Sequence, residues 1–168
     1  MGQPVNKEED WRAIVASSLN WEQAHSSLET VLRGMPQELR GRRPTGFAHS
    51  AWELLEHIRI TQRDLLDFLQ NPDYEEQLEW PKDYWPSSMA PTGDKEWNGS
   101  VAGWKKDRMA LERFTNESKL DLTSRIPKGT GQTYLRTILV ALDHNAYHLA
   151  QIVVVRQLLG AWPPPKEK

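Results

Sequence analysis

The sequence contains no cysteine. That excludes a disulfide scaffold, a thiolate zinc finger, an iron–sulfur cluster and a cysteine nucleophile. It also lacks an excess of either charge: 21 Lys and Arg stand against 23 Asp and Glu, a formal net of −2. A surface that tracks phosphates needs a strong basic excess, so no nucleic-acid partner is expected. No apolar stretch resembles a secretory leader, because residues 1–10 are polar and acidic. The longest apolar runs, 138–142 and 152–155, fall far short of a membrane span, so no membrane partner is expected. These absences leave a cytoplasmic, single-domain chain over residues 1–168, within the ~100–200 residues common for one domain. Any chemistry must come from its five His, its carboxylates, its hydroxyls or a metal.

Four segments carry helical patterning. Trp11, Ile14, Ser18, Trp21, His25, Leu28 and Leu32 recur at alternating spacings of 3 and 4, which predicts one helix over residues 7–33, ended by Gly34 and Pro36. A second helix is predicted over 50–70. Ser50 is its N-cap, Glu53 completes a capping box, and Asn71-Pro72 stops it. A third is predicted over 94–118, with a stripe of Trp97, Val101, Trp104, Arg108 and Leu111. The fourth, over 132–159, is apolar nearly all round and is expected to be buried on more than one side. Between the second and third lies a long link, 71–93, with four prolines and Trp80, Tyr84 and Trp85. Links of this length are uncommon unless they do something, and the aromatics offer area to dock, so a crossover packed on the bundle is expected. The tail over 163–168 is expected to fray. The architecture this predicts is all-α, a four-helix bundle running up-down-down-up.

His144 and His148 lie four residues apart on the fourth helix, hence on one face. Such a pair can share a metal through neutral ring nitrogens, or can satisfy its nitrogens on backbone and water. His57 lies about 10 Å into the second helix, at 1.5 Å per residue. If the second and fourth helices face each other antiparallel, His57 joins the pair in a three-His set with an open position, a catalytic type of zinc geometry. His25 is a candidate pocket wall, further ligand or ligand-orienting group, or a core histidine. His49 reads as a surface or capping residue. Glu53, one turn before His57, is a candidate for orienting a ligand nitrogen or taking a proton, and the capping box explains it equally well. Gln151, one turn after His148, is a candidate hydrogen-bond partner for a ligand or substrate. Trp11, Trp21, Trp97 and Trp104 read as core, whereas Trp80 and Trp85 read as pocket lid or interface.

The block His49-Ser50-Ala51-Trp52-Glu53-Leu54-Leu55-Glu56-His57-Ile58-Arg59 resembles the first block of the DinB-like metalloprotein superfamily. Asp143-His144-Asn145-Ala146-Tyr147-His148-Leu149-Ala150-Gln151 resembles its second block, and the stretches 126–133 and 156–162 are also similar to it. The resemblance covers nearly the whole chain. It implies a four-helix bundle, often a homodimer, with a divalent transition metal held by His57, His144 and His148. Imidazole suits zinc, nickel, iron and copper, with zinc and nickel the leading expectations. Relatives of this kind include metal-dependent transferases that use low-molecular-weight thiols such as bacillithiol or mycothiol. The function implied is thus a metal-dependent enzyme, a thiol transferase or a hydrolase, acting on a small molecule. Its rivals are a non-catalytic metal-binding stress-response protein and a structural dimer with a vestigial site.

Overall fold

The structure is a computed structural model that describes residues 7–20, 22 and 24–166. Among the described residues five α-helices follow one another: α1 (Lys7–Ser18), α2 (Leu28–Leu32), α3 (Ala51–Gln70), α4 (Asp94–Thr115) and α5 (Tyr134–Leu158). Short 3₁₀ turns occupy Gln37–Leu39 and Lys82–Tyr84. The class is all-α: among the described residues the only β-type pairing is an isolated bridge between Arg125 and Thr133.

The expected first helix over 7–33 is broken. Its apolar spacing continues across the break, but its hydrogen bonds do not. The hydroxyls of Ser17 and Ser18 donate back to the carbonyls of Ile14 and Val15. Leu19 and Asn20 close three-residue turns instead of continuing the helix. Glu22 then accepts from the Ser27 amide and hydroxyl and from the Thr30 hydroxyl, and Ser27 caps α2. Short polar side chains offered the backbone an alternative to the helix, and it took it. The two ends of the stripe accordingly pack into different cores: Leu28 and Leu32 into one, Trp11, Val15 and Leu19 into the other. Trp21 lies outside the described residues.

α3 starts as its sequence predicts. The Ser50 hydroxyl accepts from the Glu53 amide, and the Glu53 carboxylate accepts from the Ser50 amide at 2.8 Å. Leu54, Leu55 and Ile58 are fully buried behind that cap, each removal from water being worth roughly 1.5–3 kcal/mol. α3 is the central helix, packing against both α4 and α5. Its first half shares a core cluster with the first half of α4 (Trp97, Trp104) and the second half of α5 (Leu149, Ile152, Val155). Its second half (Leu66, Leu69) meets Leu111 of α4 and Ile138 and Ala141 of α5. α3 and α4 therefore run parallel and α5 runs against them. Gln62, fully buried, ties the three together: its amide donates to the Trp104 carbonyl and its oxygen accepts from Asn145.

α5 departs from expectation in two ways. As a continuous 25-residue helix it is long and apolar enough, by length and composition, to cross a membrane, which its short uninterrupted runs had concealed. It instead packs on α3 as a bundle helix, with Asp143, His144, Asn145, His148 and Gln151 in its middle. Nor is it buried on more than one side in the single chain: Leu139, Tyr147, Val154 and Leu158 are exposed. The chain after α5 is tied back. Arg156, itself buried, donates to the Ala161 carbonyl and to the Val31 and Arg33 carbonyls at the end of α2, and its guanidinium faces Trp162. Pro165 sits so close over Gly34 that a side chain there would collide with its ring.

Candidate metal centre

The antiparallel contact of α3 with α5 brings His57 against His144 and His148. One ring nitrogen from each lies within 4.8 Å of the other two. The Nε2 atoms of His57 and His144 are 3.0 Å apart. His57 and His148 are buried and His144 is half-buried. The rings pack at centroid separations of 4.8 Å (His57–His144), 4.5 Å (His57–His148) and 4.5 Å (His144–His148), tilted or edge-on.

Two of the rings are oriented by their other nitrogen. His57 Nδ1 lies 2.8 Å from the Tyr84 carbonyl. A carbonyl only accepts, so Nδ1 carries the proton and Nε2 keeps its lone pair. His148 Nδ1 lies 2.6 Å from Gln151 Oε1, which fixes the same tautomer. His144 Nδ1 is buried without a hydrogen bond of normal geometry, the Asn145 side chain being its polar neighbour. His57 Nε2 thus turns its lone pair toward His144 Nε2 across 3.0 Å, a gap that an N–H of His144 or a shared cation can fill. A tetrahedral zinc with bonds of about 2.0–2.1 Å separates its nitrogens by about 3.4 Å. The three residues fit such a cation with small adjustments of the rings.

Burial depresses all three imidazoles. It lowers His57 most directly, opposed by the Tyr84 hydrogen bond, with His148 and His49 adding like-charge repulsion. It lowers His148, opposed by Gln151, with a further contribution from His49. His144 falls furthest, to about 4, through burial and then through His148 and His57. The rings are therefore neutral at pH 7, the state in which imidazole binds a metal. No carboxylate is among the groups that shift them.

The link between α3 and α4 covers this centre. Trp85 lies flat on His57, with centroids 3.9 Å apart and planes within 1°. Its other face carries His49 at 4.1 Å, so the indole is held between two imidazoles. Trp80, largely exposed, tilts toward His57 at 6.4 Å and meets Tyr84 edge-on. On α5 the exposed Tyr147 meets His148 edge-on.

The remaining sequence candidates divide. Gln151 is on His148, as described. Glu53 is committed elsewhere: its oxygens take the Ser50 amide and the Arg43 guanidinium, which outweigh burial and hold its carboxyl below the usual range. His25 is not at the three-His cluster. It sits exposed in the break between α1 and α2, its Nδ1 2.9 Å from the Ser26 carbonyl, and lines a separate cavity with Ser18, Leu142 and Ala146. Leu142 and Ala146 are each two residues from a metal-centre histidine, about 160° round α5 at 100° per residue. The helix break explains the displacement, because the predicted stripe would have carried His25 inward. His49, expected at the surface or at a cap, is half-buried against Trp85. Its only sequence signal was its place directly before the N-cap of the helix that carries His57. The Tyr84 carbonyl had no sequence signal at all, since every residue has one.

A family model described as the DinB superfamily matches residues 20–152. No curated protein and no solved structure matches the chain.

Proposed function

The chain belongs to the DinB superfamily, and on that premise we propose that it is a divalent-metal-dependent enzyme acting on a small molecule. His57, His144 and His148 hold the cation, with zinc or nickel as the metal that three neutral imidazoles suit. The observation that carries this reading is the tautomer fixing: Tyr84 O and Gln151 Oε1 hold two Nδ1–H groups, so the Nε2 atoms of His57 and His148 keep their lone pairs in a cluster whose ring nitrogens lie within 4.8 Å of one another. When bound, the cation supplies Lewis acidity that brings a thiol or a water toward its nucleophilic anion near neutral pH. A set of neutral ligands with neutral orienting groups leaves the full charge of the cation to that anion. The chain has no cysteine, so in a thiol transferase the sulfur arrives on a low-molecular-weight thiol. The same reading places the protein in the cytoplasm, where such thiols are kept reduced.

A homodimer belongs to this reading. It is supported by the exposed apolar stripe on α5, Leu139, Tyr147, Val154 and Leu158, which a second copy would cover. Light scattering on the purified chain tests it, and a monomer at working concentration removes it.

Metal content is the first test of function. Protein purified without an affinity tag should carry close to one equivalent of zinc or nickel, or take it up on incubation. Metal-free protein after such incubation would end the reading. Metal-replete protein is then screened with thiols against epoxides, quinones and maleyl compounds. Turnover above that of a His144→Ala variant supports the enzyme. Its absence favours a non-catalytic metal-binding protein, a second reading supported by the lack of a carboxylate among the groups acting on the three rings.

A further inference from the structure

Asp64 lies on α3 seven residues after His57, two turns and about 10 Å along the helix. It cannot reach the three imidazoles, yet both of its oxygens are engaged by the link that covers them. Oδ1 accepts from the Tyr74 hydroxyl at 3.0 Å and Oδ2 from the Tyr84 hydroxyl at 2.7 Å. The Tyr74 ring also stands edge-on to Phe68 of α3, with centroids 5.1 Å apart. Residues 74 and 84 are thereby tied to one carboxylate, and the chain between them becomes a strap closed on α3. Tyr84 joins the strap to the cluster: its hydroxyl donates to Asp64 and its carbonyl accepts from His57 Nδ1. The next residue, Trp85, covers the face of the same imidazole.

We propose that Asp64 is a positioning residue of the metal centre, acting through Tyr84 to set which nitrogen of His57 faces the cation. The proposal rests on the metal-site reading above. The Tyr84 carbonyl can hold Nδ1–H only while the strap is seated. Released, His57 loses the acceptor that holds Nδ1–H and keeps only the contact of Nε2 with His144 Nε2, which can run in either direction, so part of the population moves its proton to Nε2. Asp64 thus shapes a ligand without touching it, as groups behind metal-bound histidines commonly do.

The test uses the full chain with Asp64→Asn, Tyr84→Phe and the double variant. Two quantities are read: zinc affinity by chelator competition, and the tautomer of His57 by NMR of isotope-labelled histidine in metal-free protein. Each single variant should lower zinc affinity about tenfold, the lower end of what loss of a ligand-orienting group costs. Each should also convert His57 from one Nδ1–H tautomer to a mixture, with His148 unchanged. The double variant should lose no more than Asp64→Asn alone, because both break one connection. A carboxylate that merely stapled the fold would lower thermal stability and leave the tautomer alone. An intact Nδ1–H tautomer in both single variants, with affinity within about twofold of the parent, overturns the proposal. So does a loss of affinity in Asp64→Asn that Tyr84→Phe does not share, since that marks attraction by charge. If Asp64→Asn does not fold, Tyr84→Phe decides alone. The tautomer is read without metal, so a parent protein that binds no zinc defeats the metal reading and leaves the positioning of His57 separately answered.

Discussion

The two sides of the candidate metal centre are built differently. On α5, His144 and His148 come from one helix at i, i+4, and the group that orients His148 is Gln151, one turn further along. That side is local: helix geometry alone sets it. On α3, His57 is oriented by Tyr84 and covered by Trp85, residues 27 and 28 positions away that arrive by a strap anchored on Asp64. That side is tertiary and exists only when the link is docked. Half of the centre is thus specified by spacing and half by folding, and the halves should fail in different ways.

The largest effect expected is the loss of a ligand. His57→Ala, His144→Ala and His148→Ala should each weaken zinc binding by more than ~100-fold, beyond the range for groups behind the ligands. Calorimetric titration of each variant checks this. The comparison predicts a further asymmetry. His57→Ala should also loosen the strap, seen as greater exposure of Trp80 and Trp85 to a fluorescence quencher, whereas His148→Ala should leave it seated. Equal quenching in the two would mean that the strap docks without reference to His57.

Proton uptake should also separate the two sides. His144 has no regular hydrogen bond on its outer nitrogen and is lowered furthest, from 6.5 to about 4, while Tyr84 and Gln151 each oppose the lowering of their own rings. In metal-free protein a depressed imidazole makes the unfolded chain the better proton acceptor below pH 6.5. The contribution is therefore present in full above pH 6.5 and lost as pH falls from 6.5 toward about 4. Urea unfolding across that window should show falling stability. His144→Asn should flatten the slope more than His57→Asn does. An unchanged slope in His144→Asn would place the proton uptake elsewhere.

How much of this was legible follows the same division. The pair His144 and His148, and the Ser50–Glu53 box that starts α3, were legible because each depends on residues three or four apart on one helix. Gln151 was legible for the same reason. His57 could be joined to the pair only by supposing that α3 and α5 face each other antiparallel, which the two core clusters bear out. The strap was not legible. Tyr84 acts through a backbone carbonyl, Asp64 and the two tyrosines are far apart in sequence, and the place of Trp85 between two imidazoles depends on the docked link. His25 misled for the opposite reason. Its apolar spacing was regular, but Glu22, Ser27 and Thr30 form a cap inside the predicted helix, and local hydrogen bonding outcompeted the pattern.

Trp85→Ala probes the tertiary half without touching a ligand. Stacked aromatic pairs contribute about 0.5–1.5 kcal/mol beyond the area they bury, and Trp85 makes two such contacts, with His49 and with His57. The variant should lose roughly tenfold in zinc affinity, a factor that each 1.4 kcal/mol supplies. It should also let His49 become more reactive to an imidazole-modifying reagent. Unchanged affinity would make the indole a cover and not a support.

The smallest effect sharpens the local half. Gln151 gives His148 a neutral acceptor, and among the described residues no carboxylate is among the groups that shift the three rings. Gln151→Glu keeps the length and the acceptor and adds a charge, turning the arrangement into a carboxylate–histidine pair that makes the imidazole more basic. Zinc affinity should rise severalfold. A bound water should then become less acidic, because part of the cation's charge is already offset, and any metal-dependent turnover should move its alkaline dependence upward in pH. Gln151→Ala should move affinity the other way. Because Gln151 and His148 sit three residues apart on one helix, both changes should leave the quenching of Trp80 and Trp85 as in the parent, and a change there would show that the two halves of the centre are coupled through the ligands themselves.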